Sequence, residues 1–394
     1  MTAPWWRPDV FARRAPFLAA RERLREVTRA FFAARGFTEV ETPALQVSPG
    51  LEPHLKAFAT NLTTPEGARR PLYLHTSPEF AMKKLLAAGM PRIWQMARVF
   101  RDGEAGATHH PEFTMIEWYR AGARPSDIMA DCVDLLRACR DAWPPEGAES
   151  PTPTPTLPHR GGGGTNGAVS PPPSPLVGEG RGGGAAAPSP EAAPRRWHWR
   201  GTPCDPALPW ERLSVAEAFA RHADIDLNAT APDPRAPDAA RLAIDAHRIG
   251  IRARPEDRWD DVFFRIFLER IEPRLGVGRP TLLHSYPVSM AALAKVDPED
   301  PRVAQRFELY VAGLELANGF GELTDEAEQR RRFEADMDLK QRLYGERYPI
   351  DEDFLAALAH GMPESSGIAL GFDRLVMLAS GAERIEDVLW APVG

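Results

Sequence analysis

From Pro144 to Pro194 the chain runs through prolines, glycines, serines and alanines with almost no large apolar side chain (PPEGAESPTPTPTLPHRGGGGTNGAVS and onward). Such a stretch cannot bury enough surface to offset the entropy of ordering its backbone, so 144–194 is expected to be a disordered insertion. A Pro-rich docking ligand is the alternative reading, but the glycine runs dilute any polyproline helix. The interruption constrains the fold strongly. Residues 1–143 and 195–394 must together build one domain, assembled from both sides of the gap.

Outside the gap the composition is that of an ordinary globular chain, with 43% hydrophobic and 26% charged residues overall. No apolar run reaches the roughly 18 residues of a membrane span, and the start MTAPWWRPDVFARRAPF lacks the apolar core of an export signal. A cytoplasmic protein with no membrane partner is expected. Cys132, Cys139 and Cys204 are too few and too scattered for a disulfide framework or zinc site, and read as buried free thiols. The net charge of −7 argues against a protein that coats nucleic acid.

Hydrophobic spacing supplies the elements. Phe17, Leu24, Val27 and Phe31 mark a helix that Gly36 ends, and Phe37–Thr42 alternates like a strand closed by Pro43. Leu72–Leu74 reads as a short strand. Ser77 is placed to cap the next helix, with Pro78 in its first turn. Ile93–Arg101 and Glu112–Tyr119 are strand-like and separated by a polar loop. Helical patterns follow at Val215–Arg221 and Arg258–Arg270. Strands are expected at Thr281–Leu283, Arg306–Val311 and Gly313–Leu316, with Asn318-Gly319 beginning a turn. Ile368–Leu370 then leads into a helix over Phe372–Ala379. Strands cluster with helices without regular βαβ alternation, which predicts an α+β fold on a mixed or antiparallel sheet.

Three constellations carry candidate chemistry. In Arg98-Val-Phe-Arg101-Asp102-Gly103-Glu104 and His109-His110-Pro-Glu-Phe-Thr-Met-Ile-Glu117-Trp-Tyr119, two strands joined by a charged loop can offer Arg101 to a polyphosphate and Glu117 and Tyr119 to a polar ligand. A guanidinium suits phosphate because its planar fork meets two oxygens and never loses its charge. A solvated, salt-bridged hairpin would look similar. In Gly313-Leu-Glu315-Leu316-Ala-Asn318-Gly319-Phe-Gly-Glu322, converging carboxylates can hold Mg²⁺ beside phosphates or recognise an ammonium group, although charges on an exposed strand edge are common. In Ser366-Gly367-Ile-Ala369-Leu-Gly371-Phe-Asp-Arg374, glycines allow close ligand approach, and Arg374 falls in the first turn of a helix whose N-terminus favours anions.

Taken in order, these segments resemble the signature motifs of class II aminoacyl-tRNA synthetases of the lysyl group. Phe32–Pro43 is similar to motif 1, the family's dimer interface, Phe100–Glu117 to motif 2, and Gly367–Arg374 to motif 3. Leu74-His-Thr-Ser77-Pro-Glu79 resembles the amino-acid-binding loop. Only about 30 residues precede motif 1, too few for an anticodon-binding barrel. The wording HPEFTMIEWYR, GLELANGFGELTD and GMPESSGIALGFDRLVML is similar to that of the elongation factor P–(R)-β-lysine ligase family. Where lysyl-tRNA synthetases have Gly-Leu-Gly, this chain has Gly367-Ile368-Ala369, and the extra methyl is expected to favour β-lysine over α-lysine.

The resemblance implies a class II catalytic fold, an antiparallel sheet flanked by helices. It implies an ATP-dependent, AMP-forming ligase that activates (R)-β-lysine or lysine as an adenylate and passes it to a lysine side chain of elongation factor P. It also implies a homodimer without stable tRNA binding. By the same resemblance Arg101 and Arg374 are catalytic, gripping the α- and γ-phosphates. Ser77, Glu79, Tyr119, Glu322 and Ala369 bind the amino acid. Arg101, Asp102, Gly103, Glu104, His110, Glu315, Leu316, Gly371 and Arg374 bind ATP, and Glu315 with Glu322 holds Mg²⁺. The family's Arg-x-Glu appears here as Arg101-Asp102-Gly103-Glu104, and His110 stands where asparagine is common. Rival expectations are a truncated lysyl-tRNA synthetase, a catalytically dead synthetase-like regulator, and an amidating enzyme on the same fold. The dead regulator would lack the phosphate-side arginines and acidic groups that this chain retains.

Overall fold

The computed structural model describes residues 4–142 and 196–393, so the 144–194 segment lies outside the described residues. The first helix, α1 (Pro8–Ala34), opens with proline at its first position, where a missing N–H costs nothing. It buries Leu18, Leu24, Phe31 and Phe32 and stops as Gly36 turns at φ +70°. Phe17 and Val27 only flank this buried stripe.

The chain then runs through β1 (Thr38–Glu39), β2 (Leu45–Gln46), β3 (Ala59–Thr63), β4 (Arg69–Leu74), α2 (Glu79–Ala87), β5 (Arg92–Phe100), β6 (Glu112–Ala121) and α3 (Pro125–Asp141). Beyond the gap come β7 (Trp197–Trp199), β8 (Thr202–Cys204), β9 (Glu211–Ser214), α4 (Val215–Ala223), α5 (Ala239–Arg248) and α6 (Trp259–Ile266). They are followed by β10 (Thr281–Pro287), β11 (Val303–Val311), β12 (Leu314–Gly321), α7 (Glu326–Tyr344), α8 (Glu352–Gly361), β13 (Ser365–Gly371), α9 (Phe372–Ser380) and α10 (Ile385–Val388).

Eight strands form the main sheet in the order β1-β5-β6-β13-β12-β11-β10-β9. The six inner strands are antiparallel, while β1 and β9 add parallel edges. Sheet and helices are mixed as an α+β fold. One face packs on α1, α3 and α9 through Phe32, Trp94, Trp118, Leu309 and Ile368; Phe32 stacks on Trp94 at 4.6 Å. A second core joins α4, α5 and α6, and a third seats α2, α7 and α8 beside Ile93 and Tyr119. Cys132, Cys139 and Cys204 are buried free thiols.

Several local expectations need correction. Asn318-Gly319 does not begin a turn: both stay in β12, with Asn318 paired to Glu308 on one side and Ala369 on the other. The turn falls earlier, at Ala312-Gly313, where φ is +54° and +77°. The strand expected over Phe37–Thr42 shrinks to two residues in register with Ile93 and Trp94 of β5, and the Val40 amide adds one last bond to Trp94 O at 2.9 Å. Ser77 accepts from the Glu79 amide at 3.1 Å, but the capping position of α2 belongs to Pro78. The helix expected over Arg258–Arg270 is α-helical only to Ile266 and continues as a wider turn over Phe267–Ile271. Among the described residues no helix is long and apolar enough to cross a membrane.

Candidate active site

On the face of the sheet away from α1, Tyr119 lies opposite Gly367 and Glu117 opposite Ala369. A Cβ on Gly367 would stand 2.1 Å from Tyr119 Cδ1 and 3.0 Å from Glu322 Oε1. Only glycine leaves room for the tyrosine ring and the carboxylate beside it. Glu117 is fully buried; Ser77 Oγ donates to its Oε1 at 2.5 Å and Tyr119 OH to its Oε2 at 3.0 Å. Burial, reinforced by the nearby Glu79 carboxylate, pushes the Glu117 carboxyl up to about 8. Burial and the same carboxylates hold the Tyr119 hydroxyl far above its ordinary range.

The α2 helix closes this pocket. Lys83 is 1% exposed at its side chain; it lies 2.5 Å from Glu322 Oε2 and pairs with Glu79 Oε1 one helical turn back. Burial alone would lower its pKa, but Glu322 and Glu79 more than reverse this and hold it above the ordinary lysine range. The Glu322 carboxyl is raised by burial, and its Oε1 is buried without a hydrogen-bond partner. The loop carrying Ser77 is fixed by His75 Nε2 against Arg98 O at 2.6 Å and by Thr76 Oγ1 donating to Pro49 O at 2.7 Å. Ser77, Glu79, Tyr119 and Glu322 are thus brought together, and Ala369 sits on the same face beside Met115 and Phe113.

A second, cationic region adjoins the pocket. The Arg101 guanidinium lies over the Phe113 ring at 5.1 Å and 3.6 Å from Glu104, and its Nε is buried without a partner. Asp102 is turned aside to Lys56 at 3.0 Å, and Gly103 makes the turn at φ +82°. Arg374 Nη1 donates to Glu315 O at 2.8 Å, and its Nη2 lies 2.7 Å from His109 Nε2. His109 lies within electrostatic reach of both Arg374 and Arg101, and burial together with those charges lowers its pKa. Opposite them, Glu315 is raised by burial and then by Glu308. Glu308 accepts from Tyr310 OH at 2.6 Å, from Arg306 at 2.8 Å, and from Tyr286 OH.

Glu79, Glu117 and Glu322 thus gather around Lys83 and Tyr119, and Arg101 and Arg374 both act on His109. The family model for class II tRNA synthetases (D, K and N) matches residues 12–393. The chain belongs to that family. Among its curated relatives, the elongation factor P–(R)-β-lysine ligase of Yersinia enterocolitica is 37% identical over 369 residues, covering 93% of this chain and 91% of the relative. The ligase of the same name from Sodalis glossinidius is 39% identical, covering 92% and 90%. That from Pectobacterium atrosepticum is 36% identical, covering 98% and 96%.

As a class II synthetase-like ligase the chain uses ATP, and several sequence expectations are revised by the geometry. Glu315 and Glu322 do not form one metal site. They stand seven positions apart along extended chain, roughly 20 Å of rise, and Glu322 is committed to Lys83. The acidic neighbour of Glu315 is Glu308, which alternation on β11 places on the same face as Arg306 and Tyr310 but no sequence motif singles out. His110 is 4% exposed, with Nδ1 against Glu112 O at 2.6 Å and Nε2 accepting from the Val393 amide at 3.2 Å. It anchors backbone, and His109 is the imidazole that faces Arg374. Leu316 is buried in the core behind the sheet, so only its backbone is available to a nucleotide. A Cβ on Gly371 would make only ordinary contacts with Arg374, so that glycine is not sterically required. Two further residues were not evident from sequence. Lys83 looks like any basic residue of an amphipathic helix. Glu52 has a buried, unpartnered Oε2 and feels Glu79, Arg101 and Lys83.

Proposed function

We propose that this enzyme activates (R)-β-lysine, or lysine, as an aminoacyl-adenylate and transfers it to a lysine side chain of elongation factor P. The observation that carries the reading is the pocket of Glu79, Glu117, Glu322 and Tyr119, which suits a ligand with two ammonium groups, since an ammonium offers only donors. The names of relatives covered over nine-tenths of their length support the acceptor.

With the ammonium groups held in the pocket, the substrate carboxylate is directed toward the space between Arg101 and Arg374. Its oxygen attacks the α-phosphorus, the bond to pyrophosphate breaks, and the arginines meet the developing negative charge. The acceptor's neutral amine nitrogen then attacks the adenylate carbonyl carbon, forming an amide as AMP leaves. Glu308 and Glu315 would hold Mg²⁺. The fit lies in the donor set: two neighbouring carboxyl groups, one raised by the other, are relieved by a hard cation. Among the described residues no group of three or more His, Cys, Asp or Glu is placed to bind metal, so phosphate oxygens and water would complete the shell. When bound, that ion supplies charge neutralisation at the phosphates. Glu104 stays the candidate for the adenine side. The motif 1 segment, with β1 exposed at the sheet edge, is the proposed homodimer contact.

Radiolabel transfer tests the reading. Enzyme, ATP, Mg²⁺ and labelled β-lysine are incubated with elongation factor P or with bulk tRNA. Label on the protein alone is expected; label on tRNA would replace this reading with the truncated synthetase.

A further inference from the structure

Lys83 has no part in the chemistry just described, yet it is the most deeply buried ammonium of the pocket. A buried charge survives only when paired, and Lys83 is paired twice, with Glu79 Oε1 and Glu322 Oε2. The pairing is selective for one oxygen of each carboxylate. Glu322 Oε2 meets Lys83 as an ion pair, while the buried Oε1 has no partner and faces the gap that Gly367 keeps open beside Tyr119. Glu79 likewise keeps its second oxygen off the lysine, and its side chain retains 12% exposure. Glu79, Glu117 and Glu322 converge on a single resident cation, so the pocket offers more acceptor oxygens than Lys83 can satisfy, and the surplus suits a ligand that carries two ammonium groups.

We infer that Lys83 is a positioning residue for the amino acid: a resident ammonium that fixes Glu79 and Glu322 so that one oxygen of each points at the substrate's two amino groups. Lys83 thereby sets the spacing of the two acceptors and the number of cations the pocket will take. This rests on the proposed diamino-acid substrate.

The test is amino-acid-dependent pyrophosphate exchange by the full chain. Lys83→Met preserves length and removes charge; Lys83→Ala leaves a channel shaped for propylammonium; Lys83→Arg keeps the charge and moves it. Folding of each is checked by its melting curve. Lys83→Met and Lys83→Ala are expected to raise KM for (R)-β-lysine by about tenfold or more with KM for ATP unchanged, since charged hydrogen bonds are lost. Propylammonium should restore Lys83→Ala and leave Lys83→Met unaffected, a response that loss of packing alone would not give. If Lys83→Ala does not fold, the split between the two KM values in Lys83→Met and Lys83→Arg decides. An unchanged KM for the amino acid, or a folded Lys83→Ala that propylammonium cannot restore, overturns the inference. Failure of the wild-type enzyme to exchange with any diamino acid overturns the functional reading along with it.

Discussion

In the empty pocket at neutral pH the Glu117 carboxyl, raised to about 8 by burial and Glu79, is mostly protonated. Unfolded, it would titrate near 4.3. The folded state therefore binds the extra proton between those values, and Glu117's contribution to stability falls as pH rises through that window. An incoming ammonium group reverses the preference and expels the proton. Calorimetry at pH 7 in buffers of different ionisation heat should show proton release on amino-acid binding that Glu117→Gln reduces; buffer-independent heats in the wild type would rule the mechanism out. Two residues along β13 from Gly367, Ala369 lies opposite Glu117 and packs beside Met115 and Phe113. Ala369→Gly should shift kcat/KM toward α-lysine by about tenfold, the discrimination one methyl group supplies. Unchanged selectivity in a side-by-side exchange assay would refute it.

Among elements, α9 depends on α1. Asp373 pairs with Arg21, accepts the Thr114 amide at 2.6 Å and is 1% exposed; Arg21 also donates to Thr114 Oγ1 at 2.8 Å and Val388 O at 3.1 Å. This network locks the helix that carries Arg374 to the sheet. Asp373→Ala strands the buried Arg21 charge and should cost about 3–5 kcal/mol in denaturant unfolding; a loss below about 1 kcal/mol would contradict that. The same scale shows what sequence could and could not convey. The β5, β6 and β13 strands and α1 were legible from their spacing, and so were Glu117, Tyr119 and Gly367, because alternation assigns them to a face. Lys83 and Glu308 were not, since their meaning comes from Glu322 and Glu315, which no local pattern links to them. His109 and His110 look equivalent in sequence; only the fold turns one to Arg374 and the other into the backbone.

Across the whole molecule, the two ends of the gap emerge near each other: Arg140, close to the end of α3, lies 3.5 Å from Asp205, just after the β7–β8 hairpin. Loop-closure entropy changes slowly with length, so replacing 144–194 with a short Gly-Ser linker should leave stability within about 1 kcal/mol and pyrophosphate exchange unchanged. A large loss of either would give the segment a structural role.

The pairing of β6 with β13 joins distant parts of the chain: Ser366 Oγ donates to Ala123 O, 243 residues away, and Gly367 completes the wall beside Tyr119. During synthesis the ribosome therefore releases Glu117 and Tyr119 long before the strand that shelters them. Such non-local strand pairing is slow to form. A nascent chain has no working pocket until β13 arrives, so the enzyme cannot capture its amino acid while still being translated.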